Sequence, residues 1–321
     1  MSMTPFDLDR RAILLGVAAS ALAACAPRGA EGPVRIGYQR GGVLLLAKAR
    51  GQLPAALQPV APGVEWVEFA AGPPLMEAMA AGSIDFGAVG DAPPIFAQAA
   101  KAPIVYVAVQ PVTGAGSALL LPPGSSVRTV AELKGRKVAF TKGTSAHLFI
   151  YHALKQAGLS LADVQPAYLS PGDAAGAFGS GALDAWATWD PYYALAVRDQ
   201  RARPLVTGES LPKTNAFYIA SHRFAETRPQ VLKALLDGLR VEAQWGMAHV
   251  AEVAGVVGQA TGLPSDIAQA ALRRGAFAVD PVDDAALAAQ QASADAFLDI
   301  GAIPAAVDVR AAAWRDWTPR G

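Results

Sequence analysis

Three loops carry residue types that could hold a small charged ligand. The first is Thr141-Lys142-Gly143-Thr144-Ser145-Ala146-His147, which follows the run Lys137–Phe140. Gly143 permits a tight turn there, and Thr144 or Ser145 can cap a helix that starts beside it. Open N–H groups at the positive end of a helix, with hydroxyls next to them, make an anion site without a dedicated cation. The same residues would serve an ordinary capped helix start. Lys142 precedes the glycine, so the spacing is not that of a phosphate-binding P-loop. The second loop is Gly90-Asp91-Ala92-Pro93-Pro94, where Asp91 can cap the helix that follows. Gly72-Pro73-Pro74 has a similar build, with proline in the first helical turn and a Gly72 that leaves room for a ligand. The third is Trp186-Ala187-Thr188-Trp189-Asp190-Pro191-Tyr192-Tyr193. Strand alternation puts Trp186 and Thr188 on one face and Ala187 and Trp189 on the other. One indole can then lie in the core while the other reaches a cleft, to meet an apolar tail or an opposing lobe.

Catalysis finds little support in the same residues. His147, His152, His222 and His249 have no acid or nucleophile at a recognised spacing, and no G-x-S-x-G elbow is present. The single cysteine, Cys25, excludes an intrachain disulfide and a Cys-based zinc site, and no H-E-x-x-H pair occurs. Lys plus Arg equals Asp plus Glu at 27 each, so no basic field points to nucleic acid or to an anionic membrane. No cofactor is implied.

These loops need a frame to position them. With 321 residues, 52% of them hydrophobic and 17% charged, the chain supplies ample core and the length of two domains or lobes. Val34–Tyr38, Val64–Phe69, Phe86–Val89, Ile104–Val109, Lys137–Phe140, Ala167–Leu169 and Ala185–Thr188 read as strands. Leu44–Ala49, Leu75–Ala81, Pro94–Ala100, Ala146–Ala157, Asp173–Phe178 and Pro229–Trp245 read as helices. The alternation predicts an α/β fold with parallel strands and crossover helices. A set of short motifs also recurs in order about 100 residues on, the mark of a duplicated lobe. Tyr38-Gln39-Arg40-Gly41 answers to Phe140-Thr141-Lys142-Gly143, Gly82-Ser83-Ile84-Asp85 to Gly181-Ala182-Leu183-Asp184, and Asp91 to Asp190. Two α/β lobes of this kind bury a ligand between them, at the carboxyl ends of their strands. Asp85 and Asp184 fall at the opposite ends, as turn residues.

The N-terminus reads as an address. Arg10-Arg11 precedes the apolar stretch Ala12–Ala24, which as a helix spans about 20 Å against a bilayer core of roughly 30 Å. This is the pattern of an export signal, and the paired arginines resemble a twin-arginine signal. Leu22-Ala23-Ala24-Cys25 resembles the lipobox of bacterial lipoproteins, in which the cysteine is acylated. Residues 1–25 are assigned to the signal, and the working body begins near Pro33.

Several stretches together resemble a known family. Ile36-Gly37-Tyr38-Gln39, Glu68-Phe69-Ala70-Ala71-Gly72-Pro73, the run from Gly90-Asp91 to Ala100, and Asp184-Ala185-Trp186-Ala187-Thr188-Trp189-Asp190-Pro191-Tyr192 closely resemble the aliphatic sulfonate-binding proteins of bacterial ABC importers. The likeness runs from about Val34 to about Trp314; taurine-, nitrate- and thiamine-precursor-binding proteins share its broad pattern. It implies a two-lobed periplasmic binding fold of type II-like form, with residues 33–112 and 214–321 in one lobe and 113–213 in the other. A two-crossing hinge would lie near Pro111–Ser117 and Leu211–Ala216. It implies a monomer that captures an alkanesulfonate-type molecule and hands it to permease and ATPase subunits. Gln39, Gly90, Asp91, Thr144, Ser145, Trp189 and Asp190 would lie around the ligand, joined on spacing by Gly72 and Gly143. Asp91 and Asp190 should cap helices or hold donors, since a carboxylate repels a sulfonate; a ligand with an ammonium group could use one of them. Two alternatives share the fold: a binding protein for taurine, nitrate or another small oxyanion, and a thiamine-pyrimidine synthase-like enzyme, whose cysteine-rich segment this chain lacks. The family is typically soluble in the periplasm, so the Cys25 lipobox departs from it.

Overall fold

The computed structural model describes residues 32–275 and 277–319; residues 1–25, where an export signal and acylation of Cys25 are expected, lie outside them. The strands are β1 (Val34–Tyr38), β2 (Val64–Glu68), β3 (Phe86–Val89), β4 (Ile104–Pro111), β5 (Ser117–Leu121), β6 (Lys137–Phe140), β7 (Gln165–Tyr168), β8 (Ala185–Trp189), β9 (Arg203–Thr207) and β10 (Asn215–Ser221). They form two five-stranded sheets, ordered β2-β1-β3-β10-β4 and β7-β6-β8-β5-β9. The sheets match strand for strand, which gives the internal repeat a physical form. Tyr38 pairs with Glu68 as Phe140 pairs with Tyr168. The Arg35 N–H donates to Asp85 Oδ2 at 2.9 Å, and the Lys137 N–H donates to Asp184 Oδ2 at 2.8 Å. These aspartates tie the starts of β1 and β6 to the turns before β3 and β8.

The expected parallel pairing holds for β1 with β2 and β3 and for β6 with β7 and β8, but does not extend across each sheet. β10 runs antiparallel to β3 and β4, and β5 antiparallel to β8 and β9. The reason lies in how the chain changes sheets. β1, β3, β6 and β8 all end at the loops that line the central cavity. A strand arriving from the other sheet enters at that same end, at Ser117 or Asn215, and must run back against its neighbours.

Helices cover both faces of each sheet, so apolar residues alternate inward to two sides. They are α1 (Gly42–Arg50), α2 (Leu53–Leu57), α3 (Gly72–Ala80), α4 (Ala92–Ala99), α5 (Ser145–Gln156), α6 (Pro171–Gly179), α7 (Tyr192–Asp199), α8 (His222–Thr227), α9 (Pro229–Ala248), α10 (Val250–Thr261), α11 (Ser265–Arg274) and α12 (Asp284–Asp299). One face of the first sheet packs on α1, α2, α9 and α10 through Leu46, Leu57, Leu235, Leu239 and Val253. Its other face packs on α3, α4 and α12 through Leu75, Ile95 and Phe297. The second sheet is clad by α5 on one side, through Ile150 and Leu154, and by α6 and α7 on the other, through Phe178 and Ala196.

Candidate functional site

Between the sheets lies a cavity of about 350 Å³. Its walls are the loops after β1, β3, β6 and β8 together with the two crossings between sheets. Gln39, Gly72, Gly90, Asp91, Thr144, Ser145, Trp189 and Asp190 all reach it. Gly143 does not line it. That residue turns the chain with φ 72° behind the loop, and a Cβ built there would face Pro73 and Phe96.

The loop before α5 differs in detail from its sequence reading. Neither hydroxyl caps the helix. The Thr144 hydroxyl donates to the Thr141 carbonyl at 2.7 Å, and the Ser145 hydroxyl donates to Asp91 Oδ1 at 2.5 Å. Both O–H donors are therefore committed within the protein. The N–H groups of Ser145 and Ala146 take no acceptor among the described residues, and they stand at the positive end of a twelve-residue helix. Main-chain donors, rather than hydroxyls, are what this loop has to offer an anion.

The bond from Ser145 to Asp91 joins the two sheets, and Gly90 makes it possible. A Cβ at Gly90 would stand 2.0 Å from Ser145 Oγ. Asp91 also accepts from the Ala92 N–H at 2.9 Å, so it caps α4 as its position suggested. Gln290 donates to the Asp91 carbonyl at 2.6 Å. The carboxyl group is fully buried; desolvation pushes its pKa above the usual carboxylate range, opposed by the bonds from Ser145 and Ala92. A carboxyl held toward its neutral form repels an anion less than its formal charge suggests.

Gly72, which lines the cavity, is small for a packing reason as well. A Cβ there would meet Pro93 Cγ at 2.4 Å, so the residue lets α3 approach the start of α4. Gln39 is held by donating its side-chain amide to the Ala88 carbonyl at 3.1 Å.

The two tryptophans of β8 divide as alternation requires. Trp186 is buried against Phe178 at 5.8 Å between ring centroids. Trp189 points the other way, packs edge-on to Tyr192 at 6.1 Å and reaches the cavity. Asp190 is neutralised by Arg274, which grips it through Nε at 2.8 Å and Nη2 at 2.7 Å.

Sequence reasoning found no dedicated cation, yet Arg40, Lys213 and Arg274 all line the cavity. Arg40 pairs with Glu68 at 3.2 Å and Arg274 with Asp190, while Lys213 has no ion pair among the described residues. Arg40 stood in the repeated tetrad opposite Lys142, so a signal for it existed. Arg274 and Lys213 belong to no local motif, and only the folded chain brings them here. His147 is buried behind the α5 loop, where desolvation and then Lys142 lower its pKa to about 4, and its Nδ1 accepts from the Gly143 N–H at 3.4 Å. Among the described residues no group of three or more His, Cys, Asp or Glu is placed to hold a metal ion.

Comparison with known proteins places this cavity in context. A profile of the NMT1-like family matches residues 58–257. An Escherichia coli (strain K12) chain named as an aliphatic sulfonates-binding protein is 39% identical over 304 residues, spanning 94% of this chain and 95% of its own. The alkanesulfonate-binding protein SsuA from Xanthomonas axonopodis pv. citri, solved bound to MOPS, matches with a TM-score of 0.85 at 40% identity, covering 89% of this chain and all (100%) of that one. The periplasmic aliphatic sulphonate binding protein SsuA from Escherichia coli matches with a TM-score of 0.82 at 38% identity, over 91% and 95% of the two chains.

Proposed function

The chain belongs to the NMT1-like family, in the group of the aliphatic sulfonate-binding proteins, and on that footing we propose that it is the substrate-binding component of an ABC importer for aliphatic sulfonates. It works in the periplasm as a monomer, tethered through Cys25, and performs no chemistry on its ligand. The observation that carries this reading is the pairing, on one cavity, of the open Ser145 N–H at the start of α5 with the indole of Trp189. A sulfonate is a permanent anion that accepts several hydrogen bonds, and a helix N-terminus supplies them without a buried lysine. The alkyl tail then rests on Trp189.

Capture proceeds by closure of two lobes, residues 33–112 with 214–321 and residues 113–213, about crossings near 111–117 and 211–216. Ligand contacts from both lobes favour the closed state, and permease and ATPase subunits act on that state. The bonds from Ser145 to Asp91 and from Arg274 to Asp190 support this account, since each joins residues of the two proposed lobes.

A thermal-shift screen tests the reading with alkanesulfonates of graded length, an aromatic sulfonate, taurine, sulfate, nitrate and a pyrimidine phosphate. A ligand at about 100 times its Kd adds roughly 2.7 kcal/mol and raises Tm by several degrees. Stabilisation by alkanesulfonates supports the proposal. A response to taurine or nitrate alone replaces the substrate, and turnover of any ligand replaces the importer role with an enzyme.

A further inference from the structure

A second recess, of about 170 Å³, opens beside the main cavity. The two share Gly41, Gly42, Asp190 and Pro191 as common walls. Beyond that junction the recess is apolar, walled by Met247 in the last turn of α9, Val250 and Val257 of α10, Ala271 and Leu272 of α11, and Phe277. Its charged lining residues, Arg40 and Asp190, are ones it shares with the main cavity. Charge therefore stands at the mouth and hydrocarbon inside.

The recess is not a sign of slack packing around it. A Cβ on Gly246 would stand 2.6 Å from the Phe277 ring and 2.8 Å from Leu46, so Phe277 is pressed closely on one side while it borders free space on another. Protein interiors seldom leave apolar space of this size unfilled. A cavity of about 150 Å³ lined by aliphatic and aromatic side chains is large enough for a benzene ring. Met247 is half-exposed, and an unbranched thioether adapts to varied apolar shapes.

We infer that this recess is the tail subsite of the ligand. The chain then selects organosulfonates carrying several methylenes or an aromatic ring, over short or hydrophilic ones. The inference rests on the sulfonate reading above. Trp189 lies one residue before Asp190 and two before Pro191, so a tail laid on the indole is led toward the junction. The far end of the tail fills the recess.

Calorimetric titration of the purified protein with ethane-, hexane- and octanesulfonate tests this, alongside Ala271→Phe and Met247→Asp. The first variant fills the recess from a partly buried helix position. The second puts a charge on its exposed rim, where folding tolerates it. Affinity of the unsubstituted protein is expected to rise about three- to fourfold per added methylene until the recess is full. Both variants should weaken octanesulfonate by about tenfold or more and leave ethanesulfonate within about twofold. Should both keep the original dependence on chain length, or lose short and long ligands equally with unchanged Tm, the recess is not the tail subsite. If the unsubstituted protein binds no sulfonate of any length, the sulfonate reading falls and this inference falls with it.

Discussion

Asp190 and Arg274, 84 residues apart in sequence, meet in a two-pronged ion pair at the edge of the cavity. Asp190 follows β8 in the second sheet, and Arg274 ends α11, which packs with α10 beside the first. The Thr113 hydroxyl donates to the Arg274 carbonyl at 2.9 Å, so the same residue also touches a crossing between sheets. The guanidinium further lies over the Tyr193 ring at 4.2 Å. A planar fork meeting a carboxylate on two prongs is the stronger kind of charged hydrogen bond, but a partly exposed pair is worth less than a buried one.

Arg274→Gln should therefore cost about 1–2 kcal/mol where the pair is formed. If the pair forms on closure, that cost falls on the closed state, and sulfonate affinity should drop by about five- to thirtyfold with a small loss in Tm. Calorimetric titration checks it. An unchanged Kd would show that the pair plays no part in holding the ligand-bound form.

Gly90→Ala makes a sharper intervention. The added methyl would fall on Ser145 Oγ, and the bond to Asp91 could not form with the two loops so close. Opening the cleft relieves the overlap, so the variant should stay folded and bind alkanesulfonates at least about tenfold more weakly. Small-angle scattering should show it more extended than the unsubstituted protein in saturating ligand. Equal compaction of both would remove Gly90 from the closing contact.

Trp189→Ala separates head from tail. Losing the indole should weaken hexanesulfonate by about tenfold while methanesulfonate changes little, because only the longer ligand lays hydrocarbon on it. Competition binding across the chain-length series measures the difference. Equal losses for both would end its role as a platform.

Acid should destabilise the fold through His147. Its pKa is lowered to about 4 in the folded protein, by burial first and Lys142 second, against 6.5 when free. Between those values the unfolded chain binds more protons, so stability is fully present above pH 6.5 and drains away as pH falls toward 4. At about 1.4 kcal/mol per pH unit the loss approaches roughly 3 kcal/mol. Asp91, its pKa raised by burial, acts in the opposite sense in the acid range. Urea unfolding at a series of pH values should show a shallower slope in His147→Phe than in the unsubstituted chain. Identical slopes would mean that other groups carry the effect.

Much of the cavity was legible where local rules govern. β1, β3 and β6 begin and end where Val34–Tyr38, Phe86–Val89 and Lys137–Phe140 suggested. That Trp186 and Trp189 face opposite ways follows from strand alternation alone, though not which of them is buried, and the Asp91 cap follows from a polar residue before Ala92-Pro93-Pro94. The antiparallel β5 and β10 were missed because their direction is set by where the chain crosses between sheets, not by their composition. α12 was missed because it is rich in alanine, which blurs the contrast between helix faces. Arg274 and Lys213 reach the cavity only through tertiary folding. The hydroxyls of Thr144 and Ser145 looked available in sequence; their partners, Thr141 and Asp91, decide otherwise.

The most direct test of the whole account is a crystal structure of the protein grown with butanesulfonate. The expected result is a sulfonate group within hydrogen-bonding distance of the Ser145 and Ala146 N–H groups, with its alkyl chain against Trp189 and directed toward Pro191. A sulfonate seated instead on Lys213 or Arg40, away from the start of α5, would contradict it.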